Sequence, residues 1–548
     1  MKHKIMKKYI VIPASLLLAG FLSLALTKTD VYKEVAQSIK LLNNAYKYII
    51  TYYADEVNVD EFTRSVLRSM SSELDPYTIY LEAEERHGID LLKTGKYGGV
   101  GIQIGKREGK LTVIAPMDDS PAKRAGIMSG DVISKIDSTF TQDLDINDAA
   151  KMIRGEKKTQ VILTIDRESE DSAIEFALIR EDIRVKDVAY SGMIDGGIGY
   201  IRLTRFSKNS SGELQYALEN LLSENADGLI LDLRDNPGGL LQSAIEILDM
   251  FIPKGDTLLS TRGKVRESNR IYTSRHKPIV PEEVNLAILI NGGSASASEI
   301  VAGAIQDLDR GIVVGKRSFG KGLVQSVYRL GKDRSLKITT AKYYIPSGRL
   351  IQKPDYVDED LIIAPTDEDS LFTTVGGRKV AGGGGITPDI DVDIKPSGPL
   401  LRECWRNGWF FSFIQREKNR YSTFEDVQAD VALMERFQTF LDTMDVNVQL
   451  SGERLYDDAK EKLTALDSTN TNLEIAFAQI DAFIYDEESS LFEREKEDLE
   501  HRLMIEFADH FSGATGRFNV SLKKDEAVLR AIELLKNSEK YTGIFSGK

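Results

Sequence analysis

Apolar residues fall into four successive patterns along this chain. From Val31 to about His87 they recur at spacings of three and four, through Val35, Ile39, Leu42, Ala45, Ile49 and Tyr53 and again at Leu67 and Met70. That period puts an apolar stripe on a helix, and Leu74-Asp75-Pro76-Tyr77-Thr78 ends it. Between about Leu91 and Ile183, short alternating stretches separated by glycine turns predict a small β-domain. From about Arg184 to Val392 strands and helices alternate. Ile198 to Leu203 reads as a strand, and Ser210 with Glu213 predicts a capping box for a helix whose apolar face is Leu214, Ala217, Leu218, Leu221 and Leu222. Leu229 to Leu233 is an apolar strand interrupted only by Asp232, followed by a glycine turn, Asp235-Asn236-Pro237-Gly238-Gly239, and a helix from Leu240 to Phe251. A second buried strand, Leu286 to Ile290, precedes another turn, and Leu336 to Ile345 is a later strand. Such an order predicts an α/β sheet whose turns gather along one edge, the place where these sheets carry their sites. Lys353 to Gly385 is largely polar, ends in a four-glycine run and reads as a mobile surface loop. Beyond about Pro396 the chain is charged and helical, with candidates Thr423 to Met444, Gly452 to Leu466 and Glu487 to Phe511. Their apolar stripes predict packing rather than chemistry.

Chemistry is most visible in Asn291-Gly292-Gly293-Ser294-Ala295-Ser296-Ala297-Ser298-Glu299, set between a strand and an amphipathic helix. A serine there lies at a helix N-terminus, where free N–H groups and the dipole favour developing negative charge. The five histidines (His3, His87, His276, His501 and His510) occupy ordinary charged or helical contexts, so none is marked as the base. Lys321, enclosed in Ser318-Phe319-Gly320-Lys321-Gly322, is the better candidate. Desolvation disfavours an ammonium ion, so a lysine shielded from water can take a proton from serine near neutral pH. Gln325 lies four residues on, placed to orient the amine.

These two turns resemble those of the carboxyl-terminal processing, or tail-specific, serine peptidases. The nucleophile turn of that family reads like Ser294 to Ile300 and its lysine turn like Phe319-Gly320-Lys321-Gly322. Ser296 and Lys321 stand 25 positions apart, the family's spacing, which Ser294 and Ser298 miss by two. The resemblance implies Ser296 as nucleophile, Lys321 as base and Gln325 as its orienter. It also implies an oxyanion hole from the N–H of Ala297 and that of Gly238 or Gly239. Tyr97-Gly98-Gly99-Val100-Gly101-Ile102, with Ser120-Pro121-Ala122 and the later Gly126 and Gly130, resembles a PDZ module. Gly99, Val100, Gly101 and Ile102 would meet a peptide's carboxylate and backbone, and Ala150 and Ile153 would face its side chains. The fold expected is multidomain α+β: an α/β peptidase core of crotonase/ClpP-like type, an inserted PDZ β-domain, N-terminal helices and a C-terminal helical domain. The expected division is residues 1–28, 29–90, 91–183, 184–395 and 396–548. The implied substrates are proteins with apolar C-terminal tails, and no metal or cofactor is required. The N-terminal helices would serve packing or dimer contact, making a homo-oligomer an expected assembly. A non-catalytic PDZ scaffold is the rival reading. A third, acyl-thioester chemistry on a related sheet, lacks any nucleotide-binding feature.

Composition changes this picture little. The chain has 548 residues, 42% of them apolar, and a formal charge of −14, which argues against nucleic acid as a partner. One cysteine, Cys404, excludes an internal disulfide and reads as packing. Lys2, Lys4, Lys7 and Lys8 precede an uncharged run from Tyr9 to Leu26, which marks export, either as a cleaved signal or as an uncleaved membrane anchor. The expected location is therefore the cell envelope or periplasm.

Overall fold

A computed structural model describes residues 32–82, 87–107, 109–167, 170, 172–331, 334–353, 371–393, 395–450, 452–466 and 470–546. The predicted export segment lies outside the described residues, as do 354–370 of the expected loop. Among the described residues no helix is long and apolar enough to cross a membrane. Two compact units are formed, one of residues up to 80 and one from 81 onward.

In the first unit a helix over 32–52 is followed by a helix over Val59–Ser72. Asn58 caps the second by accepting the Glu61 N–H at 3.1 Å. The two meet through Tyr46, whose hydroxyl bonds Thr63 at 2.7 Å and whose ring lies 5.7 Å from that of Phe62. Much of the first helix's apolar stripe, including Tyr32, Ile39, Leu42 and Tyr52, is exposed. The chain then turns where predicted, because the Asp75 carboxylate takes the N–H groups of Tyr77 and Thr78 at 2.8 and 2.9 Å.

In the second unit, strands Ile102–Arg107, Lys110–Pro116, Val132–Ile136, Gln160–Asp166 and Ile174–Ile179 pair in one antiparallel sheet around a core of Val113, Ile133, Leu163 and their neighbours. The ends of this inserted β-domain are tied together by Lys96–Gly99 pairing with Glu181–Arg184.

The α/β half is built on a six-stranded sheet, in the order Val188–Ile194, Ile198–Leu203, Gly228–Asp232, Asn285–Ile290, Ile312–Gly315 and Ile390–Asp391. All neighbours are parallel except the first pair. Strands of a parallel sheet read as apolar runs because both faces are covered. Here one face packs the helices Ser210–Ser223, Leu241–Leu248 and Ala297–Asp307. The other face packs Ala527, Val528, Ala531, Leu534, Leu535 and Tyr541 from the end of the chain against Tyr200, Ile230, Leu289 and Val314. The helices Glu526–Lys536 and Ser538–Phe545 thus cover the second face of this sheet. A second, antiparallel group joins Leu323–Arg329 to Arg334–Tyr344, and the latter to Thr257–Arg262, which pairs with Arg270–Thr273.

Several local expectations change. Asn209, not Ser210, stands at the N-cap; Ser210 donates instead to the Ser207 carbonyl at 2.8 Å. Glu213 accepts the N–H groups of Asp187 and Val188 at 2.7 and 3.0 Å, joining its helix to the edge strand. Within the expected loop, Leu371–Thr373 and Lys379–Ala381 form a hairpin fixed by the mostly buried Arg378, which bonds Asp309 and Asp389 at 2.7 and 2.5 Å. The predicted helix over Thr423 to Met444 is split into Phe424–Gln428 and Leu433–Leu441. Asp430 breaks it by accepting from Ala432 N–H, Arg436 and the Tyr421 hydroxyl. Around it, Phe410, Phe413, Phe437 and Phe440 stack into a helical core that includes Cys404, whose thiol burial pushes up to about 12.

Candidate active site

Two neighbouring parallel strands, Gly228–Asp232 and Asn285–Ile290, deliver their C-terminal ends side by side. The turns that follow them therefore meet, as the sheet topology requires. They are sewn together by side chains. Ser294 Oγ donates to the Leu233 carbonyl at 2.8 Å, Ser298 Oγ to the Asn236 carbonyl at 2.8 Å, and the Ala295 N–H to that same carbonyl at 3.0 Å. Asn291 bonds both the N–H and the carboxylate of Asp235, at 2.9 and 2.8 Å. Ser294 and Ser298 are fully buried in these tasks, whereas Ser296 is half-exposed at the start of the helix Ala297–Asp307. Its backbone sits at φ 55°, ψ −112°, outside the regions an L-residue ordinarily occupies. Such a conformation costs about 1–3 kcal/mol and persists where surrounding contacts over-determine it.

The contacts responsible converge on Glu299, a side chain with no exposed surface. One carboxylate oxygen accepts the N–H groups of Ser296 and Lys321, each at 2.8 Å. The other accepts the Gly320 N–H and the Ser318 hydroxyl, each at 2.6 Å. A single buried carboxylate thus fixes the peptide units carrying both Ser296 and Lys321. Burial pushes its pKa upward, and the donors from Ser318, Lys321, Gly320 and Ser296 offset that only in part. On the opposite side the buried Tyr343 hydroxyl reaches the carbonyl oxygens of Ser296, at 3.1 Å, and of Lys321. Neither Glu299 nor Tyr343 was assigned a role from the sequence. The one available signal was a Glu three residues after a Ser at a helix start, the spacing of a capping box.

Lys321 is half-buried and precedes the strand Leu323–Arg329, on which Gln325 lies. A register shift in the pairing with Arg334–Tyr344 falls between Val324 and Gln325. Gln325 Nε2 donates to Thr339 Oγ1 at 3.4 Å across the strand pair. Of the histidines, His276 bonds Asp249 at 2.5 Å, and His501 and His510 lie on the helix Leu491–Ser521.

The Gly238 N–H donates to Asn236 Oδ1 at 2.9 Å, and Asn236 is held in turn by its Nδ2 on the Leu203 carbonyl. Among the described residues the N–H groups of Ala297 and Gly239 have no hydrogen-bond partner. Both glycines are required by space. A Cβ on Gly238 would lie 2.6 Å from the Ala295 carbonyl oxygen, 2.8 Å from the Ala297 nitrogen and 2.9 Å from Ser296 Cβ, with φ at +91°. One on Gly239 would lie 2.2 Å from the Phe206 carbonyl oxygen. Gly238→Ala is therefore expected to lower kcat by about 100-fold or more, because the added methyl would push against the Ala297 N–H and the Ser296 side chain, with KM little changed. Steady-state kinetics beside an unfolding midpoint check it.

In the β-domain, Val100, Gly101, Ile102, Ala150 and Ile153 line a groove of about 590 Å³ between the strand Ile102–Arg107 and the helix Ile146–Ile153. Gly99 does not line it and sits in the closing strand pair. The Val100 side chain is fully buried in the domain core.

Several parts of the chain are similar to known proteins. The family model described as Peptidase family S41 matches residues 197–363, a PDZ domain model matches 112–167, and one described as Probable PDZ-protease, C-terminal helical domain matches 400–535. A carboxy-terminal-processing protease of Bartonella bacilliformis is 36% identical over 361 residues, which span 64% of this chain and 81% of that protein. A probable CtpA-like serine protease of Staphylococcus aureus is 34% identical over 335 residues, spanning 60% of this chain and 66% of that protein. Among solved structures, the photosystem II D1 C-terminal processing protease is similar at 25% identity and a TM-score of 0.36, over 65% of this chain and 87% of that one.

Proposed function

This chain belongs to the carboxy-terminal-processing serine proteases of peptidase family S41, and on that premise we propose that it uses Ser296 and Lys321 to cleave exported proteins near their C-termini. It is a serine protease with a PDZ domain and a C-terminal helical domain. The observation that carries the assignment within the turn is that Ser294 and Ser298 are buried and hydrogen-bonded while the strained Ser296 is half-exposed at the helix start. Lys321, its amine neutral, takes the Ser296 proton as the oxygen attacks the scissile carbonyl, and returns it to the leaving amine; water then hydrolyses the acyl-enzyme. Gln325 orients the lysine. Because the Gly238 N–H is engaged by Asn236, the free N–H of Gly239 is favoured over it as the partner of Ala297 in the oxyanion hole. The core is proposed to be of crotonase/ClpP-like type, with domains divided near residues 90, 183 and 395. The charged and apolar N-terminus supports export to the envelope, as a released or anchored protein. The exposed apolar face of the helix over 32–52 supports a homo-oligomer.

Substrate tails are recognised in the groove beside Ala150, with the strand Ile102–Arg107 pairing to the peptide backbone. Incubation with an unstructured protein bearing an apolar C-terminus should yield fragments cut near that end, identified by mass spectrometry. Filling the groove with Ala150→Trp should raise KM for this substrate by about tenfold or more, since even one lost methylene-sized contact is worth 10-fold and upward. Intact substrate after prolonged incubation with the wild-type chain would refute the assignment.

A further inference from the structure

We propose that Asp525, on the C-terminal helical domain, is a positioning residue for the oxyanion turn, a role that rests on the protease reading above. Arg234 is the residue immediately before Asp235-Asn236-Pro237-Gly238-Gly239. Its guanidinium is gripped from both sides. Nε and Nη2 donate to Asp232 at 3.0 and 2.6 Å, while Nη1 and Nη2 donate to the two carboxylate oxygens of Asp525 at 3.0 and 2.7 Å. This is a two-pronged arginine–carboxylate pair, which fixes orientation as well as distance. Asp232 cannot hold Arg234 alone, because it is fully buried and also binds Arg202 at 2.7 Å and the Tyr200 hydroxyl at 2.6 Å. Burial raises the Asp232 pKa, but Arg234 and Arg202 outweigh it and hold the carboxyl at about 2. Two arginines therefore face one internal carboxylate; the exposed Asp235 reaches Arg202 at 3.4 Å, and Asp525 supplies the further negative charge that meets Arg234. Removing one member of such a set leaves an uncompensated, largely buried cation that must move to find water or another acceptor.

Asp525 is itself anchored by its own helix. Its Oδ1 accepts the N–H groups of Ala527 and Val528, both at 3.1 Å, as the cap of the helix Glu526–Lys536. That helix buries Ala527, Val528, Ala531, Leu534 and Leu535 against the sheet face. The position of Arg234, and so the first residue of the turn that presents Gly239, is set by a helix nearly 300 residues later in the chain. The C-terminal domain is thereby wired to the place where the oxyanion develops, not to substrate.

The full-length chain carrying Asp525→Asn tests this, because asparagine keeps the helix cap while removing the charge. Cleavage of the apolar-tailed substrate gives kcat and KM; inhibition by a peptide aldehyde, which forms a tetrahedral adduct with the serine, reads the oxyanion hole directly. D525N is expected to lower kcat by about ten- to a hundredfold, to leave KM within about twofold, and to weaken the aldehyde by the same factor as kcat. Glu526→Gln, on the same turn but without a bond to Arg234, is expected to leave all three unchanged. Should D525N not fold, Asp525→Ser, which also caps, is read in the same way. Wild-type kcat in the variant overturns the proposal, and so does a lower kcat with undiminished aldehyde affinity. A wild-type chain that neither cleaves nor binds aldehyde overturns the protease reading, a result distinct from either of these.

Discussion

Alanine at Ser296, at Lys321 and at both positions is expected to depress kcat to the same floor, roughly 10⁴-fold or more below wild type, with the double variant no worse than either single one. Groups that act in one proton-transfer event do not contribute additively: without the nucleophile the base has nothing to activate, and without the base the hydroxyl stays protonated. The structure gives this a geometric basis, since both residues hang from one carboxylate oxygen of Glu299 and from one tyrosine hydroxyl. Lys321→Arg should reach the same floor. A guanidinium keeps a positive charge but remains protonated at any working pH, so it cannot accept the serine proton. Residual cleavage comes from the oxyanion donors and from substrate binding, which these substitutions leave intact. Single-turnover assays on an apolar-tailed substrate measure the floor. A double variant slower than both singles by the product of their effects would mean that Ser296 and Lys321 serve separate steps.

How far the sequence discloses this site depends on the range of the contacts. Strands are legible: Ile198–Leu203 lies where predicted, and Asn285–Ile290 begins one residue earlier, because a doubly covered parallel strand needs an unbroken apolar run. The meeting of the two glycine turns follows from the order of those strands alone. Side-chain partners are a different matter. Ser294, Ser296 and Ser298 are chemically identical in the sequence, and their different burial emerges only when the neighbouring turn offers carbonyl groups to the outer two. Ser210 and Glu213 have capping-box spacing yet bond elsewhere, since Ser207 and the edge strand compete for them. Asp525 is one acidic residue among many until folding brings it to Arg234.

Glu299→Gln is expected to lower kcat by about 100-fold or more, because four donors converge on a group that must be purely an acceptor. A carboxamide offers one oxygen; its NH₂ turns toward two of the donors and leaves them buried and unsatisfied, at about 1–3 kcal/mol each. Acid has a related but separable effect on the wild-type protein. Since burial raises the Glu299 pKa above its ordinary value, the folded chain takes up this proton at a higher pH than the unfolded chain does. By linkage, the stability contributed through that proton is fully present below the unfolded pKa and is lost as pH rises through the folded one. Mild acid therefore does not unfold the protein through Glu299, yet the added hydrogen points at N–H groups and loosens both turns. The logarithm of kcat/KM should fall on the acid side as Glu299 takes up its proton, and the Gln variant should lack that fall. Unfolding midpoints recorded over the same pH range separate this loss of function from loss of fold. An acid fall of equal size in the variant would assign that proton to another group.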